Sequence, residues 1–422
     1  MRVTGGVPLR GEVQPSGAKN AVLKLMAACL LAQGPSVLSN VPEISDVETM
    51  VRLLSELGAF VRRTGPGEMV IDAGGPLSAE PPVEAVRSMR ASVQVMGPLV
   101  ARLGRVRLVR PGGCAIGERP LDFHLRGLEA MGARIREEGG WLTVEAPRLR
   151  GARIVLDFPS VGATENLMMA ATLAQGRTEI HNAAREPEIA QLQEFLCSMG
   201  ARVRGVGTGT VEVEGVAGLH GGCARLMPDR VETATWMLAA AITRGHVFVR
   251  GARADHVESV SGRLRRAGVE VRAAAEGVEV RAQDRRPQAV SVRTQPYPGF
   301  PTDVQPMWTA LMTVASGTTV VREEVHSRRF GYVRELWRMG ADITVEGRVA
   351  VVRGVEQLAG AQVVATDLRG GAALVLAALA ARGESVIAGL SHLQRGYERL
   401  PAKLAALGAR VELEAPEGAG VR

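Results

Sequence analysis

The sequence predicts an α/β protein with two domains, built from six similar units of about 70 residues each. Two interleaved patterns predict this class. Amphipathic segments that end at a glycine recur six times in the 422 residues, and strongly apolar segments that also end at a glycine alternate with them. A short run rich in β-branched residues follows each glycine, so helices and strands alternate along the whole chain.

The amphipathic segments end in a pattern close to Leu-x-x-Met-Gly-Ala-x-Val. Its six glycines are Gly58, Gly132, Gly200, Gly268, Gly340 and Gly408. Segments such as 45–57 and 186–199 are therefore predicted to be outer helices, each closed by a glycine in the left-handed conformation. A short strand, for example 133–135, is expected after each glycine.

The apolar segments are predicted to be buried helices because they lack a polar face. They end at Gly34, Gly104, Gly176, Gly245, Gly317 and Gly383, and examples are 21–33, 167–175, 233–244 and 371–382. Buried helices surrounded by strands and outer helices predict a helical centre for each domain. A six-repeat solenoid is the alternative, but its usual period is about 20–50 residues.

Three units per domain place a boundary near residue 229. The predicted domains are 15–228, and 229–422 together with 1–14. The strand expected in 1–14 is assigned to the second domain because the last unit ends without a partner strand.

Composition narrows the functional classes. The net charge of +7 is spread along the chain without a basic tail, and only 3% of residues are aromatic, which argues against nucleic-acid partners. An arginine excess suits anionic ligands. The N-terminus lacks a signal-peptide pattern, and the apolar stretches are shorter than the ~18 residues of a membrane span. We therefore expect a cytoplasmic monomer without a membrane partner, metal or cofactor.

Cations occupy an unusual position in four of the units. Lys19, Arg90, Arg230 and Arg369 fall in the first turn of predicted buried helices. A cation there opposes the helix dipole, at a cost of about 0.3–1 kcal/mol. An anion that binds both the helix N-terminus and the cation would reverse this cost, so these ends are predicted to converge on a polyanionic ligand. Salt bridges to neighbouring acids are the alternative.

A loop cysteine is the candidate reactive group. Cys114 lies in the segment 110–120, whose glycines and prolines exclude a helix or a strand. Arg110 and Arg119 flank it, and nearby cations favour the reactive thiolate. Cys29 and Cys197 fall in apolar helical runs and are predicted to be inert packing residues.

Separated motifs carry a resemblance to a known family. They are S-G-A-K-N at 16–20, M-R-A-S at 89–92, P-G-G-C-A-I-G-E-R-P at 111–120, S-V-G-A-T at 160–164, N-A-A-R-E-P-E-I at 182–189, P-D-R-V-E-T at 228–233, F-P-T-D at 300–303, A-T-D-L-R at 365–369 and R-G-Y-E-R at 395–399. With these motifs the chain resembles the enolpyruvyl transferases, and among them the enzymes that use UDP-N-acetylglucosamine. The resemblance implies two inside-out α/β barrels of three repeats each.

The resemblance also implies roles for single residues. Cys114 would protonate the methylene carbon of phosphoenolpyruvate and confer sensitivity to fosfomycin, Asp303 would accept the proton of the sugar 3-hydroxyl, and Asp367 would be a second acid near the reacting carbon. The implied phosphoenolpyruvate contacts are Lys19, Asn20, Arg119, Arg329, Arg369 and Arg395. The implied UDP-N-acetylglucosamine contacts are Arg90, Arg119, Pro120, Leu121, Asp122, Phe123, Ser160, Val161, Gly162, Asp303 and Val325. The chain departs from the family pattern at Phe158, Arg328 and Gln394.

Two other functions are compatible with this kind of sequence. The first is the sister reaction on shikimate 3-phosphate, against which the P-G-G-C loop argues because that enzyme uses no catalytic cysteine. The second is a non-catalytic protein that binds a nucleotide sugar. The presence of Lys19, Cys114, Asp303 and Arg395 together argues against it.

Overall fold

The computed structural model describes residues 1–110, 121–282 and 284–413, apart from the side chains of Ser88 and Arg90. In this part of the chain the helices are α1 (Lys19–Ala28), α2 (Ser45–Glu56), α3 (Val83–Ser88), α4 (Met96–Leu103), α5 (Asp122–Ala130), α6 (Val161–Ala171), α7 (Pro187–Ser198), α8 (Arg230–Ile242), α9 (Glu258–Arg266), α10 (Gln305–Thr313), α11 (Val333–Arg338), α12 (Leu368–Ala380), α13 (Leu390–Gln394) and α14 (Leu400–Ala406).

Short strands alternate with these helices, as the sequence predicts. Those of the first half are β1 (Arg2–Thr4), β2 (Arg10–Val13), β3 (Ala32–Gln33), β4 (Pro35–Ser39), β5 (Phe60–Gly65), β6 (Glu68–Asp72), β7 (Arg105–Val109), β8 (Arg134–Glu138), β9 (Trp141–Glu145), β10 (Arg153–Val155), β11 (Arg177–His181), β12 (Arg202–Arg204) and β13 (Thr210–Glu214). Those of the second half are β14 (Leu219–His220), β15 (Cys223–Arg225), β16 (His246–Arg250), β17 (Glu270–Ala274), β18 (Gly277–Arg281), β19 (Val292–Arg293), β20 (Thr318–Arg322), β21 (Asp342–Glu346), β22 (Val349–Arg353), β23 (Gln362–Val364), β24 (Glu384–Ala388) and β25 (Arg410–Glu412).

The larger sheets share one topology, in which a parallel pair is followed by two antiparallel pairs. Five sheets follow it, with the orders β15-β4-β6-β5, β10-β11-β13-β12, β2-β16-β18-β17, β19-β20-β22-β21 and β23-β24-β1-β25. A three-stranded sheet, β7-β9-β8, has the same antiparallel part. This recurrence is the structural form of the repeat seen in the sequence.

The N-terminal residues complete sheets that are otherwise formed by the second half of the chain. Strand β1 lies between β24 and β25, with Arg2 opposite both Val386 and Glu412. Strand β2 pairs in parallel with β16, where Arg10 is opposite His246. Residues 1–14 therefore contact the units that the sequence assigns to them.

Buried apolar side chains form two separate clusters. One extends from Ala18 to Leu226, and the other combines Met1–Val13 with Val231–Ala409. The predicted domain boundaries remain a prediction, and the two clusters are compatible with them. Within the ranges that the structure describes, no helix is long and apolar enough to cross a membrane.

The predicted helix classes agree with the burial of their residues. Helix α12 is buried from Leu368 to Leu379, and α10 is buried over its whole length, whereas α2 buries only one face. The helix predicted over 21–33 is shorter, because α1 ends at Ala28 and a 3₁₀ turn and strand β3 follow.

The glycines of the amphipathic pattern adopt the predicted conformation. All six have a φ angle between 84° and 101°. One glycine of the apolar series differs. Arg244, with a φ of 54°, takes the left-handed position beside Gly245.

Two glycines are required because a carbonyl group lies directly against them. Gly215 follows β13 and Gly354 follows β22, and their amides donate to Gly176 O and Gly317 O in equivalent hydrogen bonds of 2.9 and 3.0 Å. A Cβ atom built on Gly215 would lie 1.6 Å from the carbonyl oxygen of Ala174, and one on Gly354 would lie 1.7 Å from that of Ala315. A side chain here would force the sheet away from the buried helix.

We predict that Gly215→Ala lowers the free energy of unfolding by about 3 kcal/mol or more, because its methyl group meets backbone that cannot move independently. Gly218→Ala is the matched control, since nothing lies within 4 Å of a Cβ atom at Gly218. This control should change the stability by less than about 0.5 kcal/mol. Urea unfolding measures both variants, and equal stabilities would contradict the packing argument.

Candidate active site

Asp303 lies between two buried arginines. It belongs to the turn before α10, and its Oδ1 atom is 2.9 Å from Arg329 Nη2. Its Oδ2 atom is 3.3 Å from Arg369 Nη2 and 3.4 Å from Arg369 Nε. Burial lowers the pKa of Arg369, but the charge of Asp303 has the opposite effect and the net pKa is raised. The guanidinium of Arg369 is therefore charged.

Each of these arginines keeps a donor that is not used. Arg329 and Arg369 are both 3% exposed. Arg329 Nε and Arg369 Nη1 are buried and have no hydrogen-bond partner among the described residues. Buried donors without partners are rare because they cost about 1–3 kcal/mol each, and more when the group is charged. This arrangement favours an anionic ligand that supplies the missing acceptors.

A second carboxylate, Asp46, holds two further cations. Its Oδ2 atom is 2.9 Å from Lys19 Nζ, and its Oδ1 atom is 2.9 Å from Arg395 Nε. Burial raises the pKa of Asp46, but Lys19 and Arg395 outweigh this effect and the net pKa is lowered. Asp46 is thus a buried anion that connects α2 to Arg395, which lies 349 positions away along the chain.

Lys19 connects the two groups of charges. A Cβ atom placed on Gly396 would lie 2.7 Å from Leu368 and 3.1 Å from the Cδ atom of Lys19, so the side chain of Lys19 lies beside the start of α12. Burial lowers the pKa of Lys19, the charges of Arg369 and Arg395 lower it further, and Asp46 compensates only in part. Lys19, Arg369 and Arg395 therefore act on one common region.

The helix N-termini at this region are capped by aspartates. Asp367 Oδ1 accepts hydrogen bonds of 3.0 Å from the amides of Arg369 and Gly370. Asp229 caps α8 and also accepts a 3.0 Å bond from the Lys19 amide. Asp367 therefore has a capping function, and its role as a second acid stays a prediction.

The side chain of Arg230, a predicted member of the cation group, pairs with Glu188. Arg230 Nε is bonded to both carboxylate oxygens of Glu188, at 2.9 and 3.1 Å, and its guanidinium lies over the ring of Tyr297. The start of α8 does lie beside Lys19, because Asp229 accepts from the Lys19 amide, but the side chain of Arg230 is paired with a neighbouring acid. For Arg230 the salt-bridge alternative is correct.

The residues predicted to bind the nucleotide sugar form a separate group. Leu121, Asp122 and Phe123 lie at the start of α5, and Ser160, Val161 and Gly162 lie at the start of α6. His124 Nδ1 and Asn166 Nδ2 join the two helices at 3.0 Å, and Gln94 Nε2 donates to Gly162 O at 3.1 Å. Cys114, Arg119, Pro120 and the side chain of Arg90 lie outside the described residues.

Asn20 is held by a buried ion pair. Lys24 Nζ donates to the carbonyl oxygen of Asn20 at 2.6 Å and lies 3.4 Å from Glu165 Oε2. Neither carboxylate oxygen of Glu165 has a hydrogen-bond partner in the described part of the chain. Burial raises the pKa of Glu165 to about 7, although the charge of Lys24 opposes the rise.

A cavity of about 510 Å³ opens beside Asp46 and Arg395, with Ser45 and Gln394 in its lining. A larger depression of about 750 Å³ lies on the outer face of β12 and β13, and none of the predicted site residues line it. None of the predicted site residues line the smaller cavity either, so the charged side chains and not a cavity define the candidate site. The described ranges contain no group of three His, Cys, Asp or Glu side chains that could hold a metal ion.

Sequence reasoning missed Asp46 and Glu165. Asp46 falls in the first turn of an amphipathic helix, where an acid is ordinary. Glu165 follows the S-V-G-A-T motif and gives no local pattern. Only the tertiary contacts identify either residue.

Comparison with known proteins places the chain among the enolpyruvyl transferases. It belongs to the EPSP synthase (3-phosphoshikimate 1-carboxyvinyltransferase) family, whose model matches residues 3–404. The UDP-N-acetylglucosamine 1-carboxyvinyltransferase of Granulibacter bethesdensis is 50% identical over 414 residues, which are 98% of this chain and 98% of that protein. The UDP-N-acetylglucosamine 1-carboxyvinyltransferase 1 of Symbiobacterium thermophilum is 51% identical over 97% of this chain and 94% of its own length.

Solved structures give the same family. The enolpyruvyl transferase NikO from Streptomyces tendae superimposes with a TM-score of 0.87 at 27% identity, covering 97% of each chain. An EPSP synthase from Acinetobacter baumannii has a TM-score of 0.73 at 19% identity, covering 96% of this chain and 97% of its own, which shows a shared fold. The α/β class and the family resemblance predicted from the sequence are confirmed.

We predict that Asp46→Asn lowers the free energy of unfolding by about 2–3 kcal/mol, because it leaves Lys19 and Arg395 without their shared anion. Inorganic phosphate should then raise the unfolding temperature of this variant more than that of the wild type, since phosphate can replace the lost charge. Glu56→Gln, an exposed change on the same helix, is the control. Equal phosphate effects in all three proteins would contradict the prediction.

A pH dependence follows from Glu165. Because its folded-state pKa of about 7 exceeds the ordinary value of 4.5, the folded state binds more protons between these values. Its contribution to stability therefore falls as the pH rises from 4.5, and the loss is complete above pH 7. Glu165→Gln should remove this loss, so its stability relative to the wild type should increase by about 3 kcal/mol across that range.

Urea unfolding at several pH values measures this difference. Glu194→Gln, which removes an exposed carboxylate from α7, is the control. A stability difference between Glu165→Gln and the wild type that does not vary with pH would refute the assignment.

Proposed function

We propose that this chain transfers the enolpyruvyl group of phosphoenolpyruvate to the 3-hydroxyl of UDP-N-acetylglucosamine and releases phosphate, which is the first committed step of peptidoglycan precursor synthesis. The family assignment and the full-length relatives at about 50% identity support it. The single observation that carries it is the pair of buried arginines around Asp303, each with an unused donor. The proposal needs no metal or cofactor.

The charges at the site match the two anionic ends of phosphoenolpyruvate. Arg329 and Arg369 hold its carboxylate, and their free donors supply the hydrogen bonds. Lys19, Asn20, Arg119 and Arg395 hold its phosphate. Arginine suits both groups because its planar donors bind two oxygen atoms at once.

The addition needs one proton donor and one proton acceptor, because an alcohol adds across a carbon–carbon double bond; in the elimination the methyl carbon then loses a proton as phosphate leaves, which restores the double bond. Cys114 delivers a proton to the methylene carbon, and Asp303 accepts the proton of the sugar hydroxyl. The substrate carboxylate competes with Asp303 for the two arginines, so substrate binding frees Asp303 to face the hydroxyl. Asp367 is the second acid near the reacting carbon. The fixed cations stabilise the charges of the intermediate.

The nucleotide sugar occupies the group formed by the starts of α5 and α6. Its proposed contacts are Arg90, Arg119, Pro120, Leu121, Asp122, Phe123, Ser160, Val161, Gly162 and, near the reacting hydroxyl, Asp303 and Val325. Helix N-termini present free amides and a positive partial charge, which suits the diphosphate.

The finer architecture belongs to the same proposal. Each domain is an inside-out α/β barrel of three repeats, with residues 15–228 in one and residues 1–14 and 229–422 in the other. The two apolar clusters and the recurring sheet topology support this division. The enzyme acts as a monomer in the cytoplasm, and Cys114 makes it sensitive to fosfomycin.

A phosphate-release assay with phosphoenolpyruvate tests the proposed reaction. The wild type should release phosphate with UDP-N-acetylglucosamine and not with shikimate 3-phosphate. Cys114→Ala and Asp303→Asn should lower kcat by about 100-fold or more, because each removes a proton-transfer group. Asp342→Asn is the control, since Asp342 is exposed and pairs with Arg353.

Release with shikimate 3-phosphate alone would indicate the sister reaction, and release with neither substrate would indicate a binding protein. The thermal midpoint of each variant separates loss of chemistry from loss of folding. A folded Asp303→Asn variant with the kcat of the control would exclude Asp303 as the proton acceptor.

A further inference from the structure

Glu323 is a buried carboxylate outside the group of charges described above. It directly follows β20 and is 0% exposed. Its Oε1 atom accepts hydrogen bonds from Thr294 Oγ1 at 2.9 Å and from Thr302 Oγ1 at 3.0 Å. The same atom accepts from the amides of Val325 and His326 at 2.9 Å each.

No lysine or arginine of the described ranges pairs with Glu323. Hydroxyl and amide donors alone compensate for its burial, and Thr302 also reaches the second oxygen at 3.1 Å. A buried carboxylate is retained at low cost only when its hydrogen bonds are complete. The side chain is therefore fixed in position, and so are the groups that donate to it.

The donors come from three separate segments of the chain. Thr294 follows β19, Thr302 belongs to the turn before α10, and Val325 and His326 begin the loop after β20. Thr302 immediately precedes Asp303, and the loop continues to Arg329. Glu323 thus sets the distance between the turn that carries Asp303 and the loop that carries Val325.

We infer that Glu323 is a positioning residue, which acts through Thr302 to align Asp303 with the sugar hydroxyl and through the 325–326 amides to place Val325 against the nucleotide sugar. This inference rests on the proposed function. Misplacement of a reacting group by about 1 Å can cost about 100-fold in rate. The two arginines hold the carboxylate of Asp303, and the hydrogen bond from Thr302 to Glu323 holds the residue next to it.

The sharpest test removes one hydrogen bond without changing the size of the side chain. Thr302→Val loses the hydroxyl that donates to Glu323, and Thr302→Ser keeps it. We expect Thr302→Val to lower kcat by about 10- to 100-fold and to raise the KM for UDP-N-acetylglucosamine, because Asp303 and Val325 are displaced. The KM for phosphoenolpyruvate should change less than about threefold, since Lys19 and Arg395 hold the phosphate from other elements. Thr302→Ser should restore most of kcat.

A second pair of variants consists of a change at Glu323 and a control at the next residue. Glu323→Gln should show the same separation of kinetic effects in a smaller size, because its amide oxygen keeps the bonds to Oε1 and its NH2 group replaces the second acceptor that Thr302 reaches. Glu324→Gln is the matched control. Glu324 is the next residue in the chain, and its carboxylate pairs with Arg293 at 3.1 Å. Thermal unfolding of all four variants verifies that each is folded. If Glu323→Gln does not fold, the Thr302 pair decides.

The possible outcomes separate this inference from the proposed function. An active wild type in which Thr302→Val matches Thr302→Ser in kcat and in both KM values would overturn the role of Glu323 alone. Equal increases in the KM values for both substrates would also overturn it, because they indicate that the whole site is disordered. A wild type that releases no phosphate with UDP-N-acetylglucosamine removes the proposed function and this inference together.

Discussion

Repulsion among buried cations is the constraint on which the site depends. Among the described residues, Lys19 and Arg395 pair with Asp46, and Arg329 and Arg369 pair with Asp303. The charges of Arg369 and Arg395 both lower the pKa of Lys19, which is the effect of this repulsion. A protein gains no stability from such an excess of charge. A ligand with two negative groups removes the repulsion, so this cost in the free protein becomes part of the binding energy.

The fold supplies this arrangement by bringing helix N-termini together. The starts of α1, α8 and α12 meet, as shown by the bond from the Lys19 amide to Asp229 and by the position of Lys19 and Leu368 against Gly396. Their dipoles add positive potential to that of the side chains. The close contacts at Gly215 and Gly354 let the sheets pack tightly around the buried helices. The packing of the outer layer therefore determines how precisely the charges at the centre are placed.

Much of the fold could be predicted from the sequence because its causes are local. The glycines that end the outer helices are required by backbone conformation, and the buried helices are marked by the absence of a polar face. The shorter α1 was missed because nothing in 21–33 distinguishes a helix from a 3₁₀ turn and a strand. The strand positions of residues 1–13 depend on contacts more than 200 residues away, so only the incomplete last unit indicated them.

The site was predictable where a motif marks it and not where a contact forms it. Lys19, Asp303, Arg329, Arg369 and Arg395 do meet, and the argument from cations at helix N-termini had identified two of them. Arg230 also lies at such an N-terminus, but its side chain is bound by Glu188, which only the fold brings near. Asp46 and Glu323 are missed for the same reason. Both are ordinary acids in sequence, and their importance lies entirely in the donors that surround them.

The distribution of the charges along the chain couples ligand binding to the contact between its two halves. Lys19 and Asp46 belong to elements of the first apolar cluster, whereas Asp303, Arg329, Arg369 and Arg395 belong to elements of the second. Asp46 already joins the halves through Arg395, so an anion that takes Arg395 and Lys19 competes with that bond and also replaces it. If phosphoenolpyruvate binds as proposed, its phosphate replaces Asp46 as the anion between the halves, and the connection itself is kept. A substrate with one negative group could neutralise the cations around Asp46 or those around Asp303, but not both. This is the physical reason for a substrate with both a phosphate and a carboxylate.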